Sequence, residues 1–116
     1  MDITERQIKI LETNEGEYPF IDWFSRFKDI KTSAAIRSRL ARVRSGNFGD
    51  WKIVGDVIEL RIDFGSGYRI YLGEREKTLI VLLVGGDKKT QSKDIKTAND
   101  LWRKYKNETD RFQRDF

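Results

Sequence analysis

Between residues 61 and 89 the chain carries cations in unusual places: Arg61 within VIELRIDF, Arg69 within GYRIYL, and Lys88 and Lys89 directly after the apolar run TLIVLLVGGD. A guanidinium presents a planar fork that binds two phosphate oxygens at once, whereas an ammonium acts as a point charge. Tyr71, two residues beyond Arg69, adds a ring of the kind that stacks on a nucleobase. The chemistry such a set supports is the gathering of phosphates. A plainer reading pairs Asp63 with Arg69 and Glu59 with Arg61 or Lys52, which leaves a neutral sheet face held by contacts contributing about 0–1 kcal/mol each when exposed.

Composition excludes several other chemistries. The 116 residues include no histidine and no cysteine, so disulfides, the common zinc sets and triads with an imidazole base are ruled out. Proton transfer falls to Lys, Arg, Tyr, Asp, Glu or water, and no cofactor is expected. GSGYR and GGDKKT hold glycines, but neither has the Gly-Lys-Ser/Thr ending of a phosphate loop between strand and helix. Twenty-three Lys and Arg against nineteen Asp and Glu give a net charge of +4, which favours an anionic partner. MDITERQIKI lacks an apolar leader core, and Leu79–Val84 is far shorter than the roughly 20 residues that span a bilayer, so a cytoplasmic protein with no membrane association is expected.

The elements that must position these residues show in the apolar periodicity. RQIKIL alternates as a half-buried strand, with Ile8 and Ile10 inward. EYPFIDWFSRFKDI places Phe20, Phe24 and Phe27 on one helical face, with Pro19 in the first turn. KTSAAIRSRLARVRSGN repeats the device through Ile36, Leu40 and Val43, with Thr32 or Ser33 as N-cap and Gly46 ending it. A connection of about three residues implies an antiparallel helical hairpin, and Arg37, Arg39, Arg42 and Arg44 read as its solvated face.

DWKIV, VIELRIDF and YRIYL follow as strands. Ile58, Leu60, Ile62 and Phe64 share one face with Tyr68, Ile70 and Leu72, while Glu59, Arg61 and Asp63 share the other with Arg69 and Tyr71. A three-residue loop, Gly65–Gly67, sets Phe64 against Tyr68, Asp63 against Arg69 and Arg61 against Tyr71, making the two arginines diagonal neighbours. TLIVLLV, apolar throughout after Thr78, reads as a central strand covered on both sides and ending at Gly85-Gly86. SKDIKTANDLWRKYKNE has Ile95, Ala98, Leu101, Trp102 and Tyr105 at helical spacing, and the tail from 107 to 116 reads as a helical extension or a frayed end. The expectation is one α+β domain over 1–116, ordered β-α-α-β-β-β-α around a small, twisted, mostly antiparallel sheet.

GNFGDWKIVGDVIELRIDFGSGYRIYL, followed by LLVGGDKKTQSKDIKTANDL, resembles the RelE/ParE superfamily of toxins from type II toxin–antitoxin modules, specifically the HigB-like addiction module killer proteins. The likeness runs from about Ile3 to Tyr105. It implies a RelE-like fold and a growth inhibitor whose relatives enter the ribosome and cleave mRNA. Arg69 matches the arginine of the family's Gly-Tyr-Arg motif, Arg61 falls where relatives carry a basic residue, and Lys88 matches the cation past the last strand. Lys89 and Gln91 belong to the same local motif. A cognate helix-turn-helix antitoxin, a toxin–antitoxin hetero-oligomer, the ribosome and mRNA are the partners implied. The chain departs from the family in carrying Asp94 where RelE relatives have a tyrosine, and it lacks the histidines of other HigB proteins.

For such a metal-independent endoribonuclease, attack of a 2′-hydroxyl on its own phosphate requires a stabilised phosphoryl charge, a proton acceptor and a protonated leaving oxygen. Arg69, Arg61 and Lys88 suit the first need. A lysine among other cations has its charged form disfavoured, which makes Lys88 or Lys89 a candidate base; Glu59 is the carboxylate alternative. Lys52, Tyr71 and Gln91 are candidate RNA contacts. ParE-type members of the superfamily instead bind DNA gyrase without catalysis, and an inactive nucleic-acid-binding remnant is a third possibility.

Overall fold

The computed structural model describes residues 5–116; residues 1–4, which include Ile3 and the first part of the segment read as lacking a leader, lie outside the described residues. In chain order the elements are β1 (Gln7–Ile10), α1 (Pro19–Phe24), α2 (Ile30–Arg44), β2 (Trp51–Val54), β3 (Val57–Ile62), β4 (Tyr68–Arg75), β5 (Leu79–Asp87), α3 (Gln91–Tyr105), a 3₁₀ turn at Thr109–Arg111, and β6 (Arg114–Asp115). The strands form one sheet ordered β2-β3-β4-β5-β1-β6. Among the described residues only the β5–β1 pair is parallel, so the fold is α+β with a mostly antiparallel sheet. Among the described residues no helix is long and apolar enough to cross a membrane.

Strand alternation builds two cores. Ile58, Leu60, Ile62, Ile70 and Leu72 pack with Phe20, Trp23 and Phe24 of α1 and Ile36, Leu40 and Val43 of α2. On the other face Tyr71, Val81 and Leu83 pack with Ala98, Trp102 and Tyr105 of α3. β5 sends Ile80 and Leu82 to the first core and Val81 and Leu83 to the second, which explains its unbroken apolar run.

The register of β3 and β4 differs from the expected one by two residues. Ile62, not Phe64, faces Tyr68, and the loop spans residues 63–67. A slip of two keeps every side chain on its own face, so the apolar rows still meet. Its effect on the polar side is decisive: Arg61 lies directly opposite Arg69, and Glu59 directly opposite Tyr71. Phe64 falls outside the strand and is 36% exposed.

The helical end of the chain differs in other details. α1 stops at Phe24 and five residues precede α2, whose N-cap is Asp29, not Thr32 or Ser33; its carboxylate accepts from the Lys31 amide. Gly46 does end α2, at φ +92°, with the Gly46 and Asn47 amides donating to the carbonyls of Val43 and Arg42. Strand β5 runs through Gly85-Gly86 to Asp87, paired with Ile70, Arg69 and Tyr68 of β4, and the glycines leave room that a Cβ would take from the Trp23 ring and from Asp94 and Thr90. The tail neither frays nor extends α3: β6 pairs antiparallel with β1, and Phe112 is buried.

Candidate functional site

Three strands and the start of α3 converge on Glu59. Its row across the sheet runs from Lys52 on β2 through Glu59 on β3 to Tyr71 on β4, and the next row holds Arg61, Arg69 and Gly86. Gly86 brings no side chain, so Thr90 and Asp94 of the α3 start settle over β5, with the Thr90 hydroxyl donating to Asp94. That seat puts Gln91 within reach of the sheet.

The Glu59 side chain has no exposed surface. Arg61 Nε donates to its Oε1 at 3.1 Å. The Tyr71 hydroxyl and Gln91 Nε2 each donate to its Oε2 at 2.9 Å. Arg69 Nε stands 3.8 Å from Oε2, an ion pair beyond hydrogen-bond length, and Nη1 of the same guanidinium donates to the Gly67 carbonyl at 3.2 Å. Two guanidiniums directly across a strand pair repel, so the carboxylate between them is what makes the arrangement tolerable. Burial pushes the Glu59 pKa up, but the hydrogen bonds from Gln91, Tyr71 and Arg61, with the Arg61 charge, outweigh it and hold the carboxyl below its ordinary value. Burial, followed by the bond to Glu59 and its charge, raises the Tyr71 hydroxyl and keeps it a donor.

Outside this hub lies a small open cavity of about 210 Å³, lined by Asp50, Arg61, Ile62, Asp63, Gly67, Arg69 and Lys88. Lys88 reaches it because Gly67 has no Cβ; one built there would sit 2.9 Å from Lys88 Cε. The cavity therefore collects the fork of Arg61, the fork of Arg69 and the ammonium of Lys88, the three cations singled out by type and spacing. Two carboxylates, Asp50 and Asp63, stand on its rim.

Other expectations need correction. Tyr71 is 0% exposed beneath α3 and cannot stack on a base. Gln91 spends its amide on Glu59. Glu59, buried and accepting three hydrogen bonds, is unsuited to take a proton from substrate. Asp63 makes no ion pair with Arg69; Glu59 takes that place. Lys52 and Lys89 are exposed and do not line the cavity, and Lys89 meets Asp87 only through its backbone amide, at 2.8 Å. Among the described residues no group of His, Cys, Asp and Glu could hold a metal ion.

Arg39, read as part of a solvated helix face, is in fact buried. It donates to the carbonyls of Phe48, Asp50 and Arg61, tying the approach to β2 and the end of β3 to α2. A signal for this was present: Arg39 lies three residues after Ile36 and four before Val43, on the inward helical stripe.

With the α+β architecture and the cationic cleft in view, the chain can be set beside known proteins. No family model matches it, and no solved structure matches it. The chain belongs to the same family as a Haemophilus influenzae protein named as uncharacterized, to which it is 51% identical over 80 residues, covering 68% of this chain and 81% of that protein.

Proposed function

We propose that the chain is a toxin of the RelE/ParE superfamily, in the HigB-like addiction module killer group, acting in the cytoplasm as a ribosome-dependent mRNA endoribonuclease. The observation that carries this reading is the convergence of Arg61, Arg69 and Lys88 on one cleft, with the two arginines on directly opposed positions of adjacent strands. Two N-terminal helices on one sheet face, consecutive antiparallel strands and a closing helix on the other support a RelE-like topology.

In this mechanism the 2′-hydroxyl of a nucleotide in a translated codon gives up its proton and attacks the adjacent phosphate; the P–O2′ bond forms as the P–O5′ bond breaks, leaving a 2′,3′-cyclic phosphate and a 5′-oxygen that takes up a proton. Arg69 and Arg61 stabilise the charge that grows on the phosphoryl oxygens, and Lys88 completes the cationic set. Lys88, exposed in the connection between β5 and α3, is the lysine that lines the cleft and so the side chain placed to exchange protons with substrate. A site with such weak bases depends on the ribosome to align the RNA, since orientation supplies much of what strong acids and bases otherwise would. A helix-turn-helix antitoxin silences the toxin by covering this face or by blocking its entry into the ribosome.

Primer extension on mRNA from cells expressing the wild type or Arg69→Ala tests the reading, run beside a gyrase supercoiling assay. Wild type is expected to arrest growth and to cut within translated codons, with relief on co-expression of the antitoxin. Arg69→Ala is expected to cut on the order of a hundredfold less or weaker still, as when a donor to transition-state charge is lost. Arg69→Lys recovers part of this, because an ammonium cannot reproduce the fork. The Arg69 side chain is only 11% exposed beside Glu59, so the alanine variant is also expected to lose about 1–3 kcal/mol of stability, and cleavage is compared well below its midpoint. Absence of cuts with gyrase inhibited assigns the protein to the ParE-like class; an equally toxic Arg69→Ala overturns the assignment of the site.

A further inference from the structure

Glu59 is a carboxylate with no exposed surface, set between the two arginines that a phosphate-binding face needs available. If it served only to neutralise them, a two-pronged pairing with one fork would be the strongest arrangement. The observed geometry is different. Each carboxylate oxygen takes one arginine, Oε1 facing Arg61 and Oε2 facing Arg69, and both guanidiniums approach through Nε, the atom nearest the chain. Among the described residues, no hydrogen bond uses either Nη of Arg61 or Nη2 of Arg69. Both Nη groups of Arg61 and the Nη2 group of Arg69 are thus left over, and both arginines line the cleft that Lys88 shares.

We infer that Glu59 is a positioning residue: its hydrogen bond to Arg61 Nε and its charge 3.8 Å from Arg69 Nε draw the inner edges of both guanidiniums toward it, so that the Nη groups of Arg61 and Nη2 of Arg69 face one RNA phosphate. The inference rests on the nuclease reading above. Tyr71 and Gln91 make the grip durable, since two neutral donors at 2.9 Å stay on Oε2 whatever the arginines do. When a phosphate arrives, the guanidiniums gain a second anion without abandoning the first. Two forks opposed across a strand pair are oriented before the phosphate arrives, at no cost at the moment of reaction, which is where a transition-state donor gains over a mobile one.

The test compares wild type with Glu59→Gln, which keeps the shape and removes the charge, by three measurements. The first is ribosome-dependent cleavage, resolved into kcat and KM. The second is the affinity for a 2′-O-methylated single-stranded RNA that cannot be cut. The third is the ¹⁵N relaxation of the Arg61 and Arg69 Nε–H groups. Expected for Glu59→Gln are a kcat lower by on the order of tenfold to a hundredfold, RNA affinity unchanged or tighter because an anion has been removed from behind the arginines of the cleft, and Nε groups that become mobile. A structural role alone does not lower kcat while leaving RNA binding intact. Unchanged kcat, or Nε groups equally rigid in both proteins, overturns the inference.

Should Glu59→Gln fail to fold, Gln91→Ala removes one neutral donor from the partly exposed start of α3 and is expected to cut kcat several-fold and loosen the Nε groups; no change in either overturns the inference equally. If wild type cleaves no mRNA, the nuclease reading falls by itself. Rigid Nε groups that loosen in Glu59→Gln then still establish Glu59 as the residue that positions the pair, and Nε groups mobile in wild type dispose of it.

Discussion

The ionised state of Glu59 has a measurable signature in stability. Folding lowers its pKa below the ordinary value of 4.5, because the bonds from Gln91, Tyr71 and Arg61 and the Arg61 charge prevail over burial. The folded protein therefore binds this proton more weakly than the unfolded chain, and the stability that the carboxylate confers is complete above the ordinary value. It is lost as pH falls from 4.5 through the lower folded value. Glu59→Gln has no such proton to take up. Thermal midpoints followed by circular dichroism are expected to show the variant less stable than wild type at pH 7, with the difference narrowing from about pH 5 toward pH 3. A difference that stays constant or grows on acidification would mean that Glu59 is not held ionised by its neighbours. At this scale the sequence showed which cations converge, since Arg61, Arg69 and Lys88 all reach the cleft. It concealed what Tyr71 and Gln91 do, because burial under α3 depends on how a helix docks and not on any local pattern.

Elements differ in how far their own residues specify them. Alternation in β3 and β4 specifies the faces, but a side-chain period of two cannot distinguish registers that differ by two, so the pattern alone allows a loop two residues shorter, with Arg61 against Tyr71, as readily as the observed pairing of Arg61 with Arg69. The β4–β5 turn was harder to read. Glu76 and Lys77 take φ +56° and +60°, with the Thr78 amide donating to the Arg75 carbonyl at 3.1 Å, the mirror-image turn that suits a tight hairpin. That turn favours Asn-Gly, and Glu-Lys gives no hint of it. Left-handed geometry costs an ordinary residue roughly 1 kcal/mol or more, so the double change Glu76→Asn, Lys77→Gly is expected to raise stability by about 1 kcal/mol. Urea unfolding should show a higher midpoint with an unchanged slope. The turn lies between the ends of β4 and β5 remote from Tyr68 and Asp87, so the proposed mRNA cleavage is expected to be unaltered. A lower midpoint would show that Glu76 or Lys77 contributes a contact outweighing its backbone strain.

At the scale of the whole molecule, the sheet separates two cores that share few side chains, and the tail is what reaches both. Phe112 stacks on Trp102 at 6.2 Å within the α3 core, whereas Phe116 meets Phe20 and Phe24 edge-on at 5.5 Å in the α1–α2 core, with its amide donating to Ile8. β6 is too short and too polar for any strand signal, which is why the sequence left this segment undefined; its order comes from the two phenylalanines and from pairing with the free edge of β1. Removing the buried ring in Phe112→Ala is expected to cost about 3 kcal/mol, and the partly exposed one in Phe116→Ala about 1–2 kcal/mol. The rings pack in different clusters on opposite faces of the sheet, so if the tail simply fills two separate sites the losses in the double variant should add to within about 0.5 kcal/mol. A double variant no less stable than Phe112→Ala alone would show instead that Phe112 holds the tail in place and that Phe116 docks only as a consequence. Chemical denaturation of the four proteins decides between these outcomes, and because neither ring lines the Arg61–Arg69 cleft, the growth arrest proposed for the wild type is expected to persist in each variant that remains folded.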